Sequence, residues 1–161
     1  MTIKAGDKIP SVKLRHMTKD GVKEISTDDI FKGKKVAIFG LPGAFTPTCS
    51  AKHLPGFLAH FDKFKEKGVD TIVCISVNDA FVMDAWGKNQ NVGDKVLMAA
   101  DGNAEFAKAA GIEMDGTGYG MGLRMKRFSA YVVDGEVKSF NLEKPGSFEV
   151  SNAETMLAQV G

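Results

Sequence analysis

Strand-length apolar runs alternate with stretches of helical spacing along most of this chain, and that alternation restricts the fold more than any other feature. Residues 36–41, 69–77 and 95–100 are short apolar runs, and the second is rich in β-branched residues, which suit buried strands. Between the first two, Leu54, Phe57, Leu58, Phe61 and Phe64 fall at helical spacing, and Gly68 is a helix stop. Pro55 lies inside that helix and is expected to kink it, because its ring displaces the bond to the Ala51 carbonyl. Asn78 or Asp79 can cap a following helix whose apolar face carries Phe81, Val82, Ala85 and Trp86. Asp101 or Asn103 opens another helix, closed by Gly111. Residues 127–133 and 136–141 flank Asp134-Gly135, a two-residue hairpin signal. Ser151-Asn152-Ala153-Glu154 reads as a capping box before a last helix. The alternation argues for an α/β class, and the closing hairpin makes the β-sheet mixed, with helices flanking it.

No linker, repeat or low-complexity tract divides the sequence, so 1–161 reads as one domain, and the order of elements fits a thioredoxin-like fold. A chain of 161 residues with 43% hydrophobic and 25% charged residues can bury a sizeable core. Its 21 basic residues nearly balance 20 acidic ones, which argues against a nucleic-acid binder held by charge. No apolar run approaches the roughly 20 residues needed to span a bilayer. The first residues, Met1 to Asp7, lack an apolar signal core, so a cytoplasmic location is the default expectation. Two cysteines do not make a secreted disulfide framework.

The chemistry concentrates around Cys49. It follows the apolar run 36–41 and the segment Pro42-Gly43-Ala44-Phe45-Thr46-Pro47-Thr48, and a helical stretch begins directly after it. A thiol at a strand-to-helix crossover meets unpaired backbone N–H groups and the positive end of the helix dipole, both of which favour the thiolate. The competing reading is an inert buried thiol. Cys74 sits mid-strand among Ile72, Val73 and Ile75, which favours a core role, and the pair is not a C-x-x-C. His53, four residues after Cys49, could tune the thiolate, act as a base in a Cys–His hydrolase, or simply fix the helix start. No Cys/His/Asp grouping has metal-ligand spacing. Gly116-Thr117-Gly118-Tyr119-Gly120-Met121-Gly122 fails the G-x-G-x-x-G spacing and reads as a loop before a strand. Arg124-Met125-Lys126-Arg127 opens that strand. Its arginines suit a solvated strand end, or else a site where one guanidinium holds sulfur and oxygen anions together.

Pro42-x-x-x-Thr46-x-x-Cys49 resembles the active-site pattern of the peroxiredoxins. The strings PGAFTPTCSAKHLPGF, VNDAFVMDAWG and KRFSAYVVDG resemble its type-five subfamily (the plant type II group) over nearly the whole chain. That resemblance implies a thioredoxin-like fold and reduction of hydrogen peroxide and alkyl hydroperoxides. Cys49 would be the peroxidatic cysteine. Thr46 would offer its hydroxyl to the peroxide, Arg127 would stabilise the thiolate and the developing charge, and Pro42 would wall off the sulfur. Arg124 would support the site. No bound cofactor is implied. Some members carry a resolving cysteine near the C-terminus, and residues 141–161 have none here. The expectation is therefore a one-cysteine cycle, recycled by glutathione and glutaredoxin, with thioredoxin as the alternative reductant. The resemblance also suggests a homodimer, with Phe45, Phe81 and Trp86 as possible contributors. The main alternative is a redox sensor or signalling adaptor that uses the same thiol without turnover.

Overall fold

The structure is a computed structural model and describes residues 1–160. The chain opens with an antiparallel hairpin, β1 (Lys13–Thr18) and β2 (Gly21–Ser26), turning at Lys19-Asp20, followed by α1 (Thr27–Phe31). Then come β3 (Lys35–Leu41), a π-helical turn (Cys49–His53), α2 (Leu54–Ala59), α3 (Phe61–Glu66), β4 (Thr71–Ser76), α4 (Ala80–Asn89) and β5 (Leu97–Ala100). The remainder is α5 (Glu105–Ala110), the short ribbon β6 (Glu113–Asp115) and β7 (Leu123–Met125), the hairpin β8 (Phe128–Val133) and β9 (Glu136–Leu142), and α6 (Ala153–Gln159). Seven strands form one sheet in the order β2-β1-β5-β4-β3-β8-β9. Strands β3, β4 and β5 run parallel, and β1 and β8 join them antiparallel. The sheet is mixed and flanked by helices, as in thioredoxin-like proteins. No helix among the described residues is long and apolar enough to cross a membrane.

Strand alternation builds two cores. Ala37, Phe39 and Leu41 of β3, with Ile72 and Cys74 of β4, face a cluster containing Leu54, Phe57, Phe64, Trp86 and Met156. Val36, Ile38, Val73 and Ile75 face the other cluster, with Phe31, Phe106, Ala107 and Phe128. A period of two sends neighbouring residues to opposite faces, so nearly continuous apolar strands can serve both. In the first core Phe57 stacks on Phe39 with ring centroids 4.1 Å apart and on Phe64 at 5.4 Å. Each such pair contributes about 1 kcal/mol beyond its buried area. Gly40 lies against the Phe128 ring, and a Cβ there would collide with it.

The ends of the elements follow local chemistry. The Asp79 side chain accepts from the Val82 N–H and caps α4. Both Asp101 carboxylate oxygens accept N–H bonds at the start of α5, from Phe106 and Ala107, and Gly111 closes that helix at φ +71°. Asp134 and Gly135 both take positive φ in the β8–β9 turn, as a two-residue hairpin requires.

Three expectations shift. The buried stripe of α4 is Ala80, Met83, Trp86 and Gly87, not Phe81, Val82, Ala85 and Trp86. The bare Gly87 admits Met98 and Val92 to the helix, and Phe81 is left 68% exposed. The long helix after Cys49 is not kinked once at Pro55. It begins with a π turn, in which the Leu54 N–H reaches back five residues to the Cys49 carbonyl, and breaks again at His60. Proline at 55 supplies no N–H for the next α-type bond, which favours the wider turn just before it. At α6 the cap is Asn152, whose side chain accepts from the Thr155 N–H, and Ser151 has other partners. The glycine-rich stretch is a loop before a strand, as its sequence suggests: it forms the tip of the β6–β7 ribbon, where Gly116 N–H donates to the Gly122 carbonyl and Met121 N–H to the Gly116 carbonyl.

Candidate active site

Strand β3 ends at Leu41 in the middle of the sheet and delivers the chain to the loop that carries Pro42 and Thr46. Two things hold that loop. The Ala44 N–H donates to Asn78 Oδ1 at 3.0 Å, and Arg124 Nη1 lies 3.5 Å from the Pro42 carbonyl and 3.4 Å from that of Val77. Phe45 takes a left-handed φ of +64°, uncommon for a bulky residue. Helical backbone begins at Pro47, and the Ser50 N–H already bonds the Thr46 carbonyl. Cys49 thus lies in the first helical turn, where backbone N–H groups lack carbonyl partners within the helix. From across the sheet face, Trp86 Nε1 donates to Ser50 Oγ at 3.0 Å and ties this turn to α4.

The Cys49 side chain is buried and unbonded to Cys74. Arg127, just before β8, reaches it: Nη2 donates to Cys49 Sγ at 3.2 Å. The other arm, Nη1, lies 2.9 Å from His53 Nδ1, and His53 Nε2 lies 2.9 Å from the Ser151 carbonyl. A guanidinium only donates and a carbonyl only accepts. His53 is therefore neutral, with its proton on Nε2 and its Nδ1 lone pair given to Arg127. Burial, and secondarily the Arg127 charge, push this imidazole down from 6.5 to about 3, against the opposing bond to Ser151. Phe148 completes the surroundings, its ring 5.7 Å beneath the Arg127 guanidinium and edge-on to His53 at 5.1 Å.

Cys49, Arg127, Thr46 and Pro42 were expected to share one site, and each falls at or beside this loop-and-helix junction. Cys49 and Arg127 are in direct contact. Thr46 Oγ1 donates its proton to the Gly43 carbonyl at 2.7 Å, so its lone pairs are the hydrogen-bonding capacity left for a ligand. Pro42 lines, with Thr48, Lys126, Arg127 and Lys144, a small pocket of about 140 Å³. Arg124 braces the loop instead of the sulfur. His53 cannot serve as the base of a Cys–His hydrolase, because the lone pair it would need is already occupied. Cys74 is fully buried between Phe39 and Met98 in the sheet. Burial, then the neighbouring Cys49, push its thiol well above its ordinary range, against a pull from Arg127. No group of three metal-ligating side chains occurs among the described residues. Residues missed from sequence are Ser151, Glu143 and Phe148. They lie far along the chain from Cys49, and no short motif links them to it.

Such a site sets the Cys49 sulfur against one guanidinium at the start of a helix, with Thr46 and Pro42 on the adjoining loop. It suits nucleophilic attack by sulfur on a small, uncharged, electrophilic atom. Comparison with known proteins points the same way. The Redoxin family model matches residues 4–157. The chain is 44% identical over 160 residues to Peroxiredoxin-2E, chloroplastic, of Arabidopsis thaliana, covering 97% of this chain and 68% of that one. It is 42% identical to Peroxiredoxin-2D of the same plant, covering 96% of each. Among solved structures, reduced Prx3 of Vibrio vulnificus in complex with hydrogen peroxide superposes with a TM-score of 0.94 at 51% identity, over 98% of both chains.

Proposed function

The chain belongs to the Redoxin family as a peroxiredoxin of the type II/5 kind, a family of thiol peroxidases, and from that premise we propose that Cys49 is its peroxidatic residue. The observation that carries the assignment is the 3.2 Å contact from Arg127 Nη2 to Cys49 Sγ. The Cys49 thiolate attacks the nearer oxygen of a hydroperoxide. A sulfur–oxygen bond forms as the oxygen–oxygen bond breaks, and hydroxide or an alkoxide leaves and takes up a proton. The product is a sulfenic acid. Arg127 holds the sulfur and the oxygen charge that develops. Thr46 accepts from the peroxide O–H through its free lone pairs, and the Cys49 N–H binds an oxygen. Pro42 limits access to the sulfur.

Recycling follows from the two cysteines. Cys74 lies fully buried in the sheet interior and is not bonded to Cys49. We therefore assign the next step to an external thiol. Glutathione attacks the sulfenic sulfur and expels hydroxide as water, giving a mixed disulfide. Glutaredoxin or a second glutathione then attacks the glutathione sulfur and releases the Cys49 thiolate. Lys126 and Lys144 on the pocket beside Arg127 offer positive charge that suits the carboxylates of glutathione. Peroxide consumption with glutathione plus glutaredoxin, run against thioredoxin plus its reductase, tests this. Faster turnover with thioredoxin would overturn the assigned reductant. Oxidation of Cys49 without turnover in either system would favour a sensor. Intact mass after one equivalent of peroxide plus glutathione should show a single glutathione adduct on Cys49.

A homodimer is part of the same proposal. Phe45 is 51% exposed and Phe81 is 68% exposed, both close to the active-site loop and α4. Trp86, fully buried, belongs to the core and not to that face. Sedimentation of the reduced protein as monomer at all concentrations would defeat it.

A further inference from the structure

Glu143 follows directly on β9, and its side chain is buried. Its Oε2 accepts four hydrogen bonds: from the N–H groups of Glu149, Val150 and Ser151, each at 2.8 Å, and from Ser151 Oγ at 2.7 Å. Three successive N–H groups aimed at one oxygen form an anion nest, and this one closes the segment 143–151 into a tight loop. Burial alone would raise the Glu143 carboxyl, but the bonds from Ser151, Val150 and Glu149 outweigh it and hold the group below its ordinary value. Replacing this carboxylate with apolar atoms would leave three N–H groups and a hydroxyl without their acceptor, so these bonds are what hold the loop closed.

What the closed loop does is visible in what it touches. Glu143 N–H donates to the Arg127 carbonyl at 3.0 Å. Phe148, within the loop, carries the guanidinium on its ring. Ser151, at the loop's end, offers its carbonyl to His53 Nε2, and His53 Nδ1 receives Arg127 Nη1. All three supports of Arg127 therefore hang on one clamped loop. The bonds of the clamping carboxylate fall within that loop and do not reach Cys49. We infer that Glu143 is the positioning residue of the active site, which sets Arg127 against the Cys49 sulfur by closing the loop that carries Phe148 and the Ser151 carbonyl.

The test compares Glu143→Ala, Glu143→Gln, Ser151→Ala and Glu143→Gln in an Arg127→Ala background. Two quantities are read: the stopped-flow rate of Cys49 oxidation by hydrogen peroxide, and the pH at which thiolate absorbance appears. Glu143→Ala should slow oxidation about tenfold or more, since misplacing a reacting group's partner by about 1 Å is that costly. It should also move thiolate formation to higher pH. Glu143→Gln, whose amide oxygen can still accept the N–H bonds, should do part of each. In the Arg127→Ala background it should add nothing beyond about twofold, because the residue it acts through is gone. A folded Glu143→Ala protein with both quantities unchanged overturns the inference. So does a Glu143→Gln effect that persists undiminished without Arg127. If Glu143→Ala does not fold, the other two decide: parallel slowing in Glu143→Gln and Ser151→Ala sustains the inference, and wild-type values in both overturn it.

Discussion

The two cysteines sit on the same face of one sheet, in one apolar cluster, and neither exposes surface to solvent. Only one of them has a cation in contact. Cys74 is flanked by Phe39 and Met98 along the strands, and burial keeps its thiol protonated. Cys49 opens a helical turn and meets a guanidinium at 3.2 Å. Accessibility therefore does not separate the thiol proposed as the nucleophile from the one in the sheet. What separates them is a compensating charge and free N–H groups at the one and a satisfied sheet ladder at the other. A buried sulfur anion without such partners would carry a desolvation cost of several kcal/mol.

The sharpest way to break this contrast is to exchange the roles. Cys49→Ser should abolish peroxide turnover in a steady-state assay. Cys74→Ser should retain most of it, and loss of turnover in a folded Cys74→Ser protein would make Cys74 the resolving residue. Next in size is the cation. Arg127→Ala should slow Cys49 oxidation by about a hundredfold, the scale of removing one donor aimed at developing charge. Arg124→Ala, which loosens the loop but leaves the sulfur contact, should do less, as stopped-flow rates would show.

His53 sharpens the comparison through acid stability. Its folded value of about 3 lies below the ordinary 6.5, so between those pH values the unfolded chain binds the extra proton. Stability contributed by the neutral imidazole is present above 6.5 and is lost progressively as pH falls toward 3. At pH 4 the loss is on the order of 3 kcal/mol. Urea midpoints measured from pH 7 to 4 should fall steeply for the wild type and less for His53→Gln, which has no proton to gain. Equal slopes would mean that His53 is not buried neutral. The smallest effect is the stability of Cys74→Ser. A hydroxyl replacing a thiol in the sheet interior should lower unfolding free energy by about 1–3 kcal/mol, with the oxidation rate of Cys49 unchanged.

The sequence carried the placement of Cys49 at a helix start because the relevant signals are local. An apolar strand, a proline, a threonine and a cysteine within a short stretch specify a crossover and a helix start without reference to the rest of the chain. The same holds for the Asp134-Gly135 turn and for Asp101. What it did not carry was long-range. Ser151 satisfied a capping-box pattern, yet its N–H and hydroxyl both donate to Glu143 and Asn152 caps the helix instead, a choice that only packing decides. Phe81 fitted an apolar stripe that a different set of residues occupies, because a bare Gly87 shifted the face that packs on the sheet. The neutral state of His53 depends on its burial and then on Arg127, 74 positions away.

The π turn at Cys49–His53 bears on how this segment can change over generations. A π turn holds one residue more than the α-helical turn it replaces, and here that residue sets the angular offset between Cys49 and His53. The two arms of a single planar guanidinium meet both side chains at once. A single-residue deletion between 49 and 53 would restore an ordinary helix, which is locally the more regular structure, and would point one of the two acceptors away from Arg127. The same deletion at the glycine-rich tip of the β6–β7 ribbon would only shorten a turn. Length is thus under constraint in the helix, where indels are usually resisted for packing alone, and it is constrained by the span of one arginine.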